Sequence, residues 1–292
     1  MVVKQVSEHL AYRNDRLKKM DLTNPKLLGL AAIEINPTEL CNRKCSFCPR
    51  HDSNLYPNRN LHIEINTIQN LNTQLIECNY TGDISIIGFG EPLLCKNILE
   101  VIPTFTANFY TELVTNGDKI YRGDITVQDL EQTDIDHIIV DCYDDSDQTN
   151  WFMQNLKDRK FSYAIRNHYD NKKPDLIEKY GFNNRGSMLY NSTTINKSCY
   201  LPSYKTFIDY DGSVRLCCND WFRKHKPFGN VNETSISDIW MSSEFVSVRK
   251  DLLNGEREKH SPCNSCDVDG CKVGLESAKL WQDYGDDNAK SW

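Results

Sequence analysis

Short runs of β-branched residues alternate with longer helical stretches between about residues 30 and 190, and this alternation constrains the fold more than any other feature. The predicted strands are AAIEIN (31–36), DISIIG (83–88), TELVTNG (111–117), DHIIVDC (136–142) and FSYAIR (161–166). The stretches 63–78 and 93–105 are long enough for helices, and we expect Pro103 to end the second. Strand–helix–strand repeats predict right-handed crossovers and a parallel sheet, either a barrel or a doubly wound sheet.

Three cysteines follow the first predicted strand, in the segment CNRKCSFCPR at 41–50. We call Cys41, Cys45 and Cys48 the cysteine triad. In parallel α/β sheets, binding and catalysis occur at the carboxyl ends of the strands, which is where this segment lies. A tetrahedral metal or an iron–sulfur cube usually takes four thiolates. The triad therefore needs a fourth ligand from elsewhere or leaves one position open.

The sequence changes character after residue 195. YKTFIDYDGSVRLCC (204–218) predicts a β-hairpin that turns at Asp211-Gly212. SISDIWMSSEFVSVRKDLLNG (235–255) predicts one amphipathic helix, with Ser235 as its N-cap and Gly255 as its end. A shorter helix is predicted around LESAKLW in the polar last 20 residues.

Four C-terminal cysteines form a second pattern. A cysteine at each end of the hairpin and a distant C-x-x-C pair can present four thiolates to one centre. We call this group the C-terminal cysteine set: Cys199, Cys217, Cys263 and Cys266. Cys218 is an alternative ligand to Cys217. We prefer Cys217, because it lies five residues after Gly212. Structural zinc is the non-enzymatic alternative for both cysteine patterns.

Composition limits the partners and the compartment. The 292 residues carry a net charge of −7, which disfavours bulk nucleic acid or an anionic membrane as a partner. No run resembles a membrane span, and the N-terminus lacks the apolar stretch and cleavage site of a signal peptide. The 12 cysteines are too sparse for a secreted disulfide scaffold. We therefore expect a cytoplasmic protein whose thiols are free to bind metal.

The spacing C-x3-C-x2-C, with Phe47 before the third cysteine, resembles the cluster motif of radical S-adenosylmethionine (SAM) enzymes. The C-terminal cysteine set resembles the auxiliary-cluster module of their SPASM/twitch subgroup, in the shorter form with one auxiliary cluster. GFGEP (88–92) resembles the Gly-Gly-Glu-Pro segment that holds the methionyl amino group of SAM. Phe89 replaces the first glycine, which leaves Gly90 and Glu91 as the matching pair.

This resemblance implies an α/β fold: a partial (β/α)6 TIM-like barrel with a small C-terminal β-hairpin/helix iron–sulfur domain. The expected division of the chain is an N-terminal helical extension (1–30), the radical SAM partial barrel (31–195), the auxiliary-cluster domain (196–272) and a C-terminal tail (273–292). The implied cofactors are two 4Fe–4S clusters and SAM. In the family, SAM occupies the open iron at the triad, and its reductive cleavage gives a 5′-deoxyadenosyl radical that takes hydrogen from the substrate.

Other candidate site residues lie near predicted strand ends. Asn116 and Arg166 occupy positions where members of the family contact SAM, and Arg166 is a candidate partner for the SAM carboxylate. Either Asp141 or Cys142 faces the site, depending on the strand register. For Cys142, hydrogen-atom donation is one interpretation and a buried packing thiol is the other.

Three functions remain open from the sequence. The first is a radical SAM oxidoreductase that abstracts hydrogen from a small polar alcohol such as a sugar or aminocyclitol, with the auxiliary cluster accepting an electron. The second is a peptide-modifying enzyme that forms thioethers, crosslinks or epimers, and the third is a non-catalytic iron–sulfur or zinc protein. Either enzyme would need a one-electron reductant such as flavodoxin or ferredoxin.

Overall fold

A single eight-stranded sheet organises the computed structural model, which describes residues 6–168, 183–192 and 195–284. The strands are β1 (Ala32–Ile35), β2 (Asp83–Ile86), β3 (Thr111–Thr115), β4 (His137–Cys142), β5 (Ser162–Asn167), β6 (Lys205–Ile208), β7 (Ser213–Arg215) and β8 (Gly229–Asn230). Their order across the sheet is β5-β4-β3-β2-β1-β6-β7-β8.

The first six strands are parallel. β1 pairs with β2 on one side and with β6 on the other, and β2 to β5 follow in sequence order. The predicted α/β fold with a partial six-stranded barrel is therefore confirmed, and the barrel is unclosed. The sixth parallel strand is β6, the first strand of the predicted hairpin, and β7 and β8 continue from it in antiparallel pairing. The barrel and the cysteine-rich C-terminal segment thus share one sheet.

Ten helices of the described ranges surround this sheet. They are α1 (Val6–Leu17), α2 (Ile65–Glu77), α3 (Ile98–Thr106), α4 (Asp118–Tyr121), α5 (Val127–Glu131), α6 (Ser146–Asn155), α7 (Leu201–Tyr204), α8 (Ile236–Trp240), α9 (Ser243–Leu253) and α10 (Leu275–Asp283). No helix in the described part of the chain has the length and apolar character needed to cross a bilayer.

The prediction that Pro103 ends a helix was wrong. Pro103 lies inside α3, which continues to Thr106. A proline removes one hydrogen bond to the preceding turn. The helix continues because Ile102 and Phe105, on either side of the proline, are fully buried in the core.

The prediction of one helix over 235–255 was correct at its ends and wrong in the middle. The Ser235 hydroxyl caps the first turn of α8, and the chain leaves α9 at Gly255, whose φ is +83°. Ser242 interrupts the helix, because its hydroxyl accepts a hydrogen bond from the Phe245 N–H and starts α9 as a new N-cap. Serine side chains compete in this way with the helical hydrogen bonds of the backbone.

Helix α1 lies across the starts of β2, β3 and β4. The Arg13 guanidinium pairs with the buried Glu112 carboxylate and approaches the Ser85 hydroxyl at 3.5 Å. The Tyr12 ring stacks on the His137 ring with 5.1 Å between centroids. The helix therefore closes the end of the barrel opposite the cysteine triad.

The predicted C-terminal tail contains α10, which packs against the rest of the chain. Trp281 is 1% exposed, and its indole N–H donates to the Ser203 carbonyl at 3.1 Å. The Arg249 guanidinium lies 3.9 Å from the Trp281 ring centroid. The three boundaries between the four predicted segments remain predictions, and the sheet continues across residue 195.

Candidate active site

The loop after β1 presents the cysteine triad to one cavity of about 240 Å³, which we call the triad cavity. Asn58 holds the start of this loop: its side-chain oxygen accepts from the Cys41 N–H at 2.8 Å, and its amide group donates to the Cys41 carbonyl at 3.0 Å. Buried Arg50 supports Asn58 from the other end of the loop, donating to its side-chain oxygen at 3.1 Å. The three thiols are thereby fixed on one wall.

Burial raises the pKa of the triad thiols, to about 11 for Cys41 and about 12 for Cys45. The pKa of Cys48 is raised for the same reason. The protein alone therefore keeps these groups as neutral thiols. A bound metal centre is what would hold them as thiolates, since metal ligation requires the deprotonated form.

An ion-pair network fixes the middle of the triad loop. Arg43 donates to Asp118 at 2.8 Å and to Asp144 at 2.8 Å. Asn42 donates to the same Asp118 carboxylate at 2.5 Å. Because Asp118 follows β3 and Asp144 follows β4, the loop is attached to the carboxyl ends of two further strands.

The GFGEP segment lies against the start of the triad loop. The Asn36 side-chain oxygen accepts hydrogen bonds from the backbone N–H groups of Phe89, at 3.0 Å, and Gly90, at 3.4 Å. A Cβ at Gly90 would overlap the carbonyl oxygens of Thr38 and Leu40. Only glycine permits this close approach, so the backbone of the segment forms part of the cavity wall.

Glu91 joins this segment to the end of β3. One carboxylate oxygen accepts from the Leu93 N–H at 3.0 Å and the Thr115 hydroxyl at 2.5 Å, and the other accepts from the Asn116 N–H at 2.8 Å. Burial raises the pKa of Glu91 to about 7, because its effect is larger than that of the hydrogen bonds, which lower the pKa. The Asn116 amide donates to Asn42 at 2.9 Å, which connects both segments to the triad loop.

Asp141, and not Cys142, faces the triad cavity. Asp141 accepts two hydrogen bonds from Arg166, at 2.5 and 2.7 Å, and a third contact from His168 at 2.9 Å. Burial raises the pKa of Asp141, but the Arg166 and His168 charges and hydrogen bonds outweigh burial and hold it well below its usual range. Phe47 and Tyr143 complete this wall, with ring centroids 5.8 Å apart.

Cys142 lies on the opposite face of β4 because neighbouring strand residues alternate. Its side chain is fully buried in the hydrophobic core and contacts Thr149 of α6. It does not line the triad cavity. This placement favours the packing interpretation over hydrogen donation.

The C-terminal cysteine set lines a second, smaller cavity of about 20 Å³, the four-cysteine cavity. Cys217 follows β7, Cys199 precedes α7, and the other two lie in the C-x-x-C segment after α9. The backbone N–H of Asn219 donates to the Cys217 sulfur at 3.2 Å. Cys218 instead lines the triad cavity, and the Cys271 thiol donates to the Ser198 carbonyl at 2.9 Å.

A buried cation accompanies the C-terminal cysteine set. Arg257 is 1% exposed, lines the four-cysteine cavity, and donates to the carbonyls of Lys197, Ser198 and Val268 at 2.8 to 3.0 Å. Its charge lowers the pKa of Cys199, although burial has the larger effect and raises it to about 11. A positive charge at this position would compensate the negative charge of thiolates that bind a cluster.

The sequence prediction missed several residues of the triad cavity. Glu34 and Trp221 line it, and Lys205 donates to Glu34 at 2.6 Å. One signal was available: Glu34 is a lone carboxylate inside the apolar strand AAIEIN, and a buried carboxylate requires a partner. Trp221 gave no such signal, because its position depends on the loop after β7.

Both cysteine groups contain the number of thiols that iron–sulfur clusters take from a protein. No group of three or more His, Cys, Asp or Glu side chains within the described ranges is arranged to hold one metal ion. A 4Fe–4S cube holds its thiolates further apart, because iron and sulfide lie between them. Three thiols around one cavity and four around another match an open and a closed cluster.

A family model agrees with the assignment of an iron–sulfur cluster to the C-terminal cysteine set. The SPASM model, described as an iron–sulfur cluster-binding domain, matches residues 199–267. This range spans the whole C-terminal cysteine set.

Known proteins resemble most of the chain. The S-adenosyl-L-methionine-dependent 2-deoxy-scyllo-inosamine dehydrogenase of Niallia circulans is 29% identical over 256 residues, which are 82% of this chain and 93% of that enzyme. The crystal structure of BtrN in complex with AdoMet and 2-DOIA matches with a TM-score of 0.69 and 27% identity, over 84% of this chain and 96% of BtrN. BtrN in an open conformation matches with a TM-score of 0.60 and 26% identity, over 82% of this chain and 92% of BtrN.

The fold extends to a more distant protein. AdoMet-bound anSMEcpe is 13% identical, with a TM-score of 0.50, over 87% of this chain and 96% of anSMEcpe. The C-terminal part of the chain therefore matches an iron–sulfur cluster-binding domain, and most of the chain is similar to an S-adenosyl-L-methionine-dependent dehydrogenase, in agreement with the expected resemblance to SPASM/twitch radical SAM enzymes.

Proposed function

We propose that this enzyme is a dehydrogenase of a small cyclic amino alcohol of the aminocyclitol class. The relatives named above support the substrate class: one is a dehydrogenase of 2-deoxy-scyllo-inosamine, and the other was crystallised with 2-DOIA. In the reaction, the carbinol group loses a hydrogen atom from carbon, a proton from oxygen and one electron, and becomes a ketone.

The observation that carries this proposal is the proximity of the two cysteine groups. Cys217 and Cys218 are consecutive residues, and each lines a different cavity. A substrate in the triad cavity would therefore lie beside the site of the auxiliary cluster. Oxidation to a ketone needs such a neighbouring acceptor, because one electron must leave the substrate after the hydrogen atom.

The triad and its surroundings would hold the first cluster and SAM. Cys41, Cys45 and Cys48 supply three thiolates. The backbone at Gly90 and the Glu91 carboxylate lie where the methionyl amino group of SAM is expected. When bound, this cluster and SAM supply the radical that abstracts hydrogen.

Three other cavity residues would position SAM. Arg166, held by two hydrogen bonds to Asp141, offers a fixed cation for the SAM carboxylate. Asn116 ties the strand ends together through Asn42, and the Phe47 ring shields the triad on the side of Tyr143. Excluding water from this space protects the reaction from quenching.

The C-terminal cysteine set would hold the auxiliary 4Fe–4S cluster. Cys199, Cys217, Cys263 and Cys266 supply four thiolates, which leaves no open iron for the substrate. The cluster supplies an electron acceptor, while Arg257 and the Asn219 N–H stabilise negative charge around it. We propose a flavodoxin or ferredoxin as the external one-electron reductant. All 12 cysteines are free thiols, which supports a reducing, cytoplasmic location.

The proposal is tested by anaerobic incubation of the reconstituted enzyme with 2-deoxy-scyllo-inosamine, SAM and dithionite. We expect a product that has lost two hydrogen atoms, formed together with 5′-deoxyadenosine, and no product from Cys45→Ala. Cleavage of SAM by the wild type with an unchanged cyclitol would contradict the proposed substrate class.

A further inference from the structure

Three residues that line the triad cavity each carry one buried side-chain polar atom that has no hydrogen-bond partner within the described ranges. The atoms are Glu34 Oε2, Arg185 Nε and Trp221 Nε1. An unpaired buried donor or acceptor destabilises the native state, so each instance calls for an explanation. Three such atoms around one cavity, an acceptor and two donors, match a ligand that carries several hydroxyl groups.

Glu34 presents a fixed, charged acceptor. The residue is 5% exposed, and Oε1 accepts a hydrogen bond from Lys205 Nζ at 2.6 Å. Burial raises the pKa of Glu34, but the Lys205 ammonium outweighs burial and the net shift is downward. The neighbouring thiol of Cys218, 3.5 Å from Lys205 Nζ, is only a weak donor. Oε2 therefore remains an ionised acceptor without a partner, on a residue that lines the cavity.

Trp221 presents a fixed donor. It is 6% exposed, and its ring is packed edge-on against Tyr56 and tilted against Phe89, with centroids 5.0 and 4.4 Å away. These contacts set the direction of the indole N–H. The indole nitrogen can only donate, so it requires an acceptor such as a hydroxyl oxygen.

The charge balance of the cavity favours hydroxyl groups over an ammonium group at this position. Lys205 neutralises Glu34, and Arg166 neutralises Asp141, which lines the same cavity. A neutral hydroxyl can bind Glu34 without leaving a buried charge unpaired, whereas an ammonium would add one.

We propose that Glu34 and Trp221 bind two hydroxyl groups of the substrate ring. Glu34 Oε2 accepts a hydrogen bond from one hydroxyl, and Trp221 Nε1 donates to the oxygen of another. This inference rests on the proposed function, because it names the residues that recognise the cyclic polyol. Since Glu34 lies on β1 and Trp221 lies after β7, the substrate is held between the barrel and the C-terminal segment.

The test is a binding measurement without turnover. Isothermal titration calorimetry with 2-deoxy-scyllo-inosamine is performed on reconstituted, oxidised enzyme saturated with SAM, in the absence of reductant. We expect Trp221→Phe, which keeps the aromatic packing, to raise Kd about tenfold, and Glu34→Gln to raise it on the order of thirtyfold. The control variant is Trp151→Phe, which changes a tryptophan outside the triad cavity and should leave Kd unchanged.

Melting temperature and iron content are measured for each variant as controls for folding and cluster binding. If Glu34→Gln does not fold because Lys205 loses its charge partner, the double variant Glu34→Gln/Lys205→Met removes both charges and is expected to show the same loss of affinity. If Trp221→Phe and a folded Glu34 variant both bind the inosamine with the Kd of the wild type, the inference is overturned and the proposed function remains intact. Failure of the wild type itself to bind the inosamine would overturn both.

Discussion

Cys217 and Cys218 are consecutive in the chain, yet the two residues line different cavities. Cys217 lines the four-cysteine cavity, and Cys218 lines the triad cavity. The short strand β7 ends two residues earlier, and the chain turns here so that the Asn219 N–H donates to the Cys217 sulfur. This arrangement supports Cys217 as the auxiliary ligand, which the sequence favoured while leaving Cys218 as the alternative.

The first prediction separates these two cysteines. We expect Cys217→Ala to lower the iron content from about eight to about four atoms per chain, because one 4Fe–4S cluster is lost. Cys218→Ala should retain about eight. Iron analysis and electron paramagnetic resonance of the reduced proteins measure both. The reverse pattern would assign the ligand to Cys218.

The second prediction concerns Cys142. Because its thiol packs in the core, we expect Cys142→Ala to retain kcat and to lower the free energy of unfolding by about 1 kcal/mol. Kinetics and urea denaturation provide the two values. Loss of turnover with both clusters intact would instead support hydrogen donation from this thiol.

The third prediction concerns the pH dependence of stability. The pKa of Glu91 rises from 4.5 to about 7 on folding because the carboxyl is buried. Its contribution to stability is therefore fully present below about pH 4.5 and is lost as the pH rises through 7, by up to about 3 kcal/mol. Denaturation of the reconstituted protein without SAM, between pH 5 and 8, should show this loss.

The matched variant for this prediction is Glu91→Gln, which keeps the side-chain oxygen but does not titrate. Its unfolding free energy should vary less over the same range of pH. Equal slopes for the wild type and Glu91→Gln would show that another group controls the dependence.

The fourth prediction concerns Arg257. A positive charge beside an iron–sulfur cluster stabilises the reduced form, which carries one more negative charge. We expect Arg257→Met to lower the auxiliary-cluster potential by on the order of tens of millivolts, whereas Arg257→Lys keeps the charge and should change it less. Redox titration followed by electron paramagnetic resonance measures the shift. An unchanged potential in a folded Arg257→Met protein would contradict this role.

Local patterns predicted much of the fold. The five barrel strands, the hairpin turn and the N-cap at Ser235 were readable because residue types and spacing determine them locally. The break at Ser242 and the passage of α3 through Pro103 were not, since packing of distant core residues decides whether a helix stops or continues. The pairing of β6 with β1 was also missed, because it joins segments about 170 residues apart.

The candidate site also combines features that the sequence predicted with features that it did not. Thiol spacing revealed both cysteine groups, whereas the choice between Asp141 and Cys142 depended on strand register, which only the pairing of β4 with its neighbours determines. The cavity residues Glu34 and Trp221, and Lys205 that pairs with Glu34, come from three separate segments. No spacing rule connects such residues, and only the folded chain brings them together.

The measurement that tests the central claim most directly is the fate of one hydrogen atom. 2-Deoxy-scyllo-inosamine carrying deuterium at the oxidised carbinol carbon is incubated with the reduced enzyme and SAM. We predict that deuterium appears in 5′-deoxyadenosine in step with ketone formation, and that Cys45→Ala forms neither product. Ketone formed without deuterium in 5′-deoxyadenosine, or formed equally by Cys45→Ala, would contradict hydrogen abstraction at the cysteine triad.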